Sequence, residues 1–207
     1  MPLKKVIQNN DFTLAMWQIT EDSIDLVRKL KPVSFELKYL NRIKHEKRKT
    51  QNISARILLN LFANKKVYLK YLENGVPYCD EFQFISISHS HNITIVTTSK
   101  DPIGVDVQYK NKLVNKVQSK FINSKDVLLR NTNLNTNLNL IWCYKESVYK
   151  ALNGRKCSLK TNIEINLKDK IGVFCTKNEV EKFKLERILI KDYFITIAKK
   201  INNGNSI

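Results

Sequence analysis

The chain has 207 residues, enough for one large domain or two small lobes around a cleft, and its apolar fraction of 43% is that of an ordinary folded protein rather than a disordered one. No apolar run approaches the roughly 18 residues that span a bilayer, and the first residues lack the apolar centre of a signal peptide, so a cytoplasmic protein with no membrane association is expected. The formal charge of +17 is the one extreme value. It points to nucleic acid, anionic lipid, or an acidic protein or cofactor, or else to drift towards a Lys-, Asn- and Ile-rich composition.

Residues 13–20 alternate as a strand does. Asp22 or Ser23 caps a short helix on Ile24, Val27 and Leu30, which Pro32 ends. Ser34 opens a second helical stretch through Leu37 and Leu40. The basic segment 44–49 then leads into an apolar helix from Ile53 to Phe62 that carries Arg56. Residues 67–72 read as a strand before an Asn74-Gly75 turn and Pro77. Residues 84–88 and 93–97 form a hairpin through the polar link 89–92, and the Ser99–Pro102 turn separates two domains, 1–98 and 99–207.

The β-branched run from Ile103 puts Asp106 and Gln108 on one strand face. Residues 114–121 and 127–130 are expected to be helical, with Ser124 as a cap for the second, and the repetitive Asn/Thr/Leu stretch 131–139 a surface loop. A helix from Trp142 to Leu152 ends at Asn153-Gly154, with Trp142, Glu146 and Lys150 along one side and Lys145 and Tyr149 beside them. Strands follow near 163–167, 171–175, 183–190 and 194–198. The four cysteines have no Cys-x-x-Cys spacing and are expected to be reduced thiols.

Two carboxylates, Asp106 on a strand and Glu146 on a helix, suit magnesium, which commonly takes one or two protein carboxylates and fills its octahedron with phosphate oxygens and water. Lys145 and Lys150 flank the second and can neutralise a departing phosphate, and Glu146 can accept a proton. The competing reading of Glu146 and Lys150 is an ordinary i,i+4 ion pair, contributing about 0.2–0.5 kcal/mol. Ser88 and His89 at a strand end can hydrogen-bond phosphate oxygens; a zinc pair of His89 and His91 lacks further ligands, and no Gly-x-Ser-x-Gly, Walker or Gly-x-Gly-x-x-Gly motif occurs.

Taken in order, Lys47-Arg48 with Arg56, Gly75-Val76-Pro77, Ser88-His89-Ser90, Gly104-Val105-Asp106-Val107-Gln108 and Trp142 through Lys150 resemble the 4′-phosphopantetheinyl transferase superfamily. The likeness is to its surfactin-synthetase-activating type, with two similar halves in one chain, and covers about residues 40–155. The resemblance implies an α+β fold of two pseudo-two-fold related lobes, each a small antiparallel sheet on a long helix, with the active site in the groove between them. It implies a monomer that transfers the phosphopantetheine arm of coenzyme A to a serine of an acyl or peptidyl carrier protein, releasing adenosine 3′,5′-bisphosphate. By the same resemblance Asp106, Gln108 and Glu146 hold Mg2+, and Glu146 and Lys150 are catalytic. Arg48, Arg56, Gly75, Pro77, Ser88, His89, Lys145 and Lys150 hold coenzyme A. Val76 stands where the family has a basic turn residue, leaving only backbone near Gly75 and Pro77 to carry over. Gln108 stands where the family usually has a second acid, which keeps open a coenzyme A-binding pseudoenzyme. The third alternative, a basic nucleic-acid-binding module, has no RNA-recognition signature or Arg/aromatic cluster behind it.

Overall fold

The computed structural model describes residues 3–202, save the side chain of Leu189. It is a mixed α+β structure with antiparallel sheets and, among the described residues, five α-helices. The chain divides into two compact units, 1–100 and 101–207. No described helix is long and apolar enough to cross a membrane.

In the first unit, β1 (Leu3–Gln8), β2 (Phe12–Gln18), β5 (Phe84–Ser90) and β6 (Ile93–Ser99) form one sheet in the order β1-β2-β6-β5. Helix α1 (Ser23–Leu30) is started by the Asp22 carboxylate, which accepts from the Asp25 N–H at 2.9 Å, and ends on Lys31 in the left-handed region ahead of Pro32. Helices α2 (Ser34–Asn41) and α3 (Glu46–Ala63) follow. Leu26, Leu40, Ile53, Leu58, Val67, Ile85 and Val96 lie in one buried cluster. The expected strand at 67–72 shortens to β3 (Lys70–Tyr71), which pairs with β4 (Pro77–Tyr78) across the Gly75 turn, where φ is +83°. Strand β1 was not expected: its Lys4 and Lys5 obscure the alternation, as suits an edge strand facing water.

In the second unit, the strand order is β7-β11-β10-β9-β8, with β7 (Ile103–Tyr109), β8 (Ile163–Asn166), β9 (Ile171–Cys175), β10 (Val180–Ile190) and β11 (Tyr193–Lys200). Asp106 lies opposite Thr196, and Gln108 opposite Phe194. Helix α5 (Leu134–Ala151) runs against β7, and Phe121, Ile141, Val148, Ile163, Phe174 and Phe183 close the core. Gly104 marks the closest approach: a Cβ there would lie 1.9 Å from the Ser147 carbonyl oxygen.

Two expectations fail here. Residues 127–130 are not helical, since Val127 bridges to Asn166 and its carbonyl accepts from the Leu167 N–H at 3.0 Å. Of the stretch 131–139 only 131–133 lie outside a helix, because α5 begins at Leu134. Asn133 caps it by accepting from the Thr136 N–H. Asn137 and Asn139 are buried and fasten neighbouring chain: Asn137 accepts from the Leu129 N–H and donates to its carbonyl, and Asn139 makes the same pair of bonds to Asn111. Asparagine's low helix propensity is offset by these bonds. Helix α4 (Val114–Val117) continues into a 3-10 turn, Gln118–Lys120, within the helical stretch expected there.

Candidate functional site

The second unit brings Asp106, Glu146 and Lys150 together. Asp106 is buried on β7, where the close helix contact at Gly104 presses that strand face against α5. Lys150, one turn beyond Glu146, donates to Asp106 Oδ1 at 2.7 Å and to the Val105 carbonyl at 3.1 Å. Asp106 Oδ2 accepts from the Cys143 thiol at 3.2 Å. Glu146 is half-buried beside them, and its carboxyl is pushed above the usual glutamate value, first by burial and then by the negative charge of Asp106, with Lys150 opposing. Glu146 and Lys150 thus do not act as a simple surface pair, because the ammonium is given to the strand carboxylate. Gln108 shares the Asp106 face of β7 and is half-buried.

Among the described residues no three His, Cys, Asp or Glu side chains cluster as a metal site. The donor set here is instead two carboxylates and an amide, all hard oxygens. Burial first, and the Asp106 charge second, hold the Glu146 carboxyl above its ordinary value, with Lys150 opposing. These residues fit a hard divalent cation with few protein ligands and open positions for water or phosphate.

The polar seam around Asp106 is built from α5 and β11. Ser147 Oγ lies 2.8 Å from Thr196 Oγ1 and 3.0 Å from each of the Thr196 and Cys143 carbonyl oxygens. Burial, with the Asp106 charge next in weight, holds the Cys143 thiol well above its ordinary pKa.

Lys145 corrects an expectation. Its ammonium is fully buried and donates to the Phe121 and Ile163 carbonyls at 2.7 Å each, with Asp126 Oδ2 at 2.8 Å. Its three donors are therefore taken inside the second unit, and it offers none to a phosphate. Burial pulls its pKa down, opposed by Asp126. It ties α5 to the chain before β8 and so fixes the helix that carries Glu146.

Arg56 requires a similar correction. It is 2% exposed, donates to the Asn52 carbonyl and side chain, and lies 4.9 Å from the Tyr39 ring centre. Buried Glu36 stands 3.8 Å from its Nε and takes Lys66 at 2.9 Å. Arg56 is thus enclosed among Asn52, Glu36 and Tyr39 and backs the Tyr39 ring, although its Nε and the facing Glu36 Oε1 make no hydrogen bond among the described residues.

In the first unit, Arg48 and His89 are exposed and line one open depression of about 610 Å³, together with Tyr39, Arg42, Lys44, His45, Asn52 and Tyr71. Its lining among the described residues carries no Asp or Glu. The two tyrosine rings stack at 6.1 Å with an interplanar angle of 18°, giving a flat apolar wall beside the cations. The start of α3 at Glu46 adds its partial positive charge. Ser88, adjacent to His89, is buried on β5, while Gly75 and Pro77 lie at the β3–β4 turn and neither lines the depression. Arg42 and the two tyrosines were missed from sequence, and Lys44 enters there only as part of the basic segment 44–49. Arg42 to Arg48 is a visible basic cluster, but Tyr39 and Tyr71 come from α2 and β3 and meet only in the fold.

Comparison with protein-family models finds no match, and comparison with curated proteins also finds none.

Proposed function

We propose that the chain is a 4′-phosphopantetheinyl transferase of the two-lobed, single-chain type, acting on coenzyme A and an acyl or peptidyl carrier protein. The observation that carries this reading is the strand carboxylate of Asp106 and the helix carboxylate of Glu146 in one electrostatic environment, with Lys150 at 2.7 Å from the former. The acid-free depression around Arg48 and His89 supports it, since stacked rings beside cations suit a phosphorylated nucleoside. So does the plan of each unit, a small antiparallel sheet with an 18-residue helix.

In this reading the serine oxygen of the carrier protein forms a bond to the phosphorus bearing the pantetheine arm. The bond from that phosphorus to the bridging oxygen breaks, and adenosine 3′,5′-bisphosphate departs. Glu146, whose carboxyl is raised above the ordinary glutamate value by burial and by Asp106, accepts the serine proton directly or through an oriented water. Lys150 moves its ammonium onto the departing phosphate as charge develops there. Asp106, Glu146 and Gln108 would hold magnesium, which when bound draws charge from the pyrophosphate. Lys145 and Arg56 hold the scaffold.

The test is incubation of apo carrier proteins, coenzyme A and magnesium with the chain, read as a phosphopantetheine mass gain that a chelator prevents. Glu146→Gln should lower turnover by at least about 100-fold, and Gln108→Glu should preserve or strengthen it. Equal turnover by wild type and Glu146→Gln overturns the mechanism. Gln108 in place of an acid favours one second reading, a coenzyme A-binding protein without turnover; it is preferred if coenzyme A binds but no carrier protein across a panel gains mass.

A further inference from the structure

Within the second unit, the Asp106 carboxylate is fixed at both oxygens by α5. Oδ1 takes the Lys150 ammonium at 2.7 Å, and Oδ2 takes the Cys143 thiol at 3.2 Å. A fully buried cysteine is ordinarily a small apolar filler. Cys143 is placed otherwise: its sulfur faces a carboxylate at 3.2 Å and the Phe194 carbonyl at 3.4 Å, inside the seam that Ser147 and Thr196 already make polar. A thiol has one proton to give, and the nearer, charged acceptor is the stronger claimant. Phe194 lies opposite Gln108 on β7, so the same sulfur sits between Asp106 and the strand position facing Gln108.

Asp χ2 is a broad, weakly restrained torsion, and a carboxylate held at one oxygen alone swings about it. With Oδ2 tied inward to a helix core position, the carboxylate plane is set before any cation arrives. We infer that Cys143 is a positioning residue for the metal-binding carboxylate Asp106, acting through its S–H···Oδ2 hydrogen bond. Removing the donor while keeping the volume takes away the thiol contact that helps to set that torsion. Outer-shell hydrogen bonds of this kind are worth about 10–100-fold in metal affinity. The inference rests on the transferase reading for the identity of the site, so its primary measurement is metal binding without coenzyme A or carrier protein.

The full chain is titrated with Mn2+, with free ion followed by electron paramagnetic resonance, for wild type and the Cys143→Ala, Cys143→Val and Cys143→Ser variants. Thermal melts and circular dichroism confirm folding. Ala and Val, which cannot donate, are expected to bind Mn2+ about tenfold or more weakly, and Ser, which restores a donor, to bind nearly as wild type. In turnover the metal concentration for half-maximal rate should rise for Val while the rate at saturating metal stays close to wild type. If Ala does not fold, the Val and Ser pair decides. Val binding Mn2+ as tightly as wild type overturns the inference while leaving the transferase reading intact, as does Ser binding as weakly as Val, which would make the residue a matter of packing. Wild type binding no Mn2+ also overturns the inference, while the transferase reading is decided separately by the mass gain of the carrier protein.

Discussion

At Glu146 a catalytic requirement and a stability requirement pull in opposite directions. Its carboxyl resists ionisation because burial strips its water and Asp106 repels the charge, and Lys150 offsets only part of this. Below pH 4.5, the ordinary glutamate value, the group is protonated folded and unfolded, and nothing is lost. As pH rises past that value the unfolded chain releases the proton first while the folded chain retains it, so stability declines until the folded carboxyl ionises too. A neutral isostere escapes the decline. Glu146→Gln is therefore expected to melt a few degrees higher than wild type near neutral pH in the presence of chelator, with the gap closing as pH falls to about 4. Thermal melts across that range check it; a glutamine variant less stable than wild type at pH 7 would show that Glu146 makes a net favourable contact. A residue whose removal stabilises the fold and abolishes turnover is spending stability on function.

Among the elements, β7 and α5 matter most, and what the sequence showed of them is instructive. The β-branched alternation from Ile103 and the i,i+4 spacing of Trp142, Glu146 and Lys150 are local signals, so a strand and a helix are readable at those positions. The first two turns of α5 were not readable, because Asn133 to Asn139 resembles a loop until the distant partners of Asn137 and Asn139 are known. Lys145 and Arg56 misled for the same reason: a cation's role depends on whether a buried carboxylate, here Asp126 or Glu36, waits for it elsewhere in the chain. Gly104 is the reverse case, a residue whose meaning is purely geometric. A methyl group there would meet the Ser147 carbonyl oxygen at 1.9 Å and the Ala151 nitrogen at 2.7 Å, both backbone atoms. Helix α5 would have to withdraw from β7, taking Glu146 and Lys150 away from Asp106. Gly104→Ala is expected to cost about 1–3 kcal/mol or more in urea denaturation and to weaken Mn2+ binding even where folding persists. A variant of wild-type stability and affinity would mean that helix and strand can separate without disturbing the site.

At the scale of the whole molecule, the formal charge of +17 has two readings that salt can separate. If it is compositional drift, it does nothing for encounter beyond the cations that line the depression. If it draws in an acidic carrier protein, the association rate carries it, because long-range attraction steers approach and is screened by ions, whereas contacts inside a bound complex are screened far less. Raising ionic strength from about 0.01 M to about 1 M shortens the screening length from about 30 Å to about 3 Å, which removes the steering while leaving short ion pairs such as Lys150 to Asp106 largely in place. The expected outcome is a fall of about tenfold or more in kcat/KM for the carrier protein across that range, with kcat at saturating carrier protein nearly constant. Coenzyme A is held saturating throughout, so that salt effects on the Arg48 depression do not enter. A flat kcat/KM would assign the charge to composition alone. A kcat that falls in parallel would place the salt effect on the chemistry around Asp106 and Glu146 instead of on the approach of the partner.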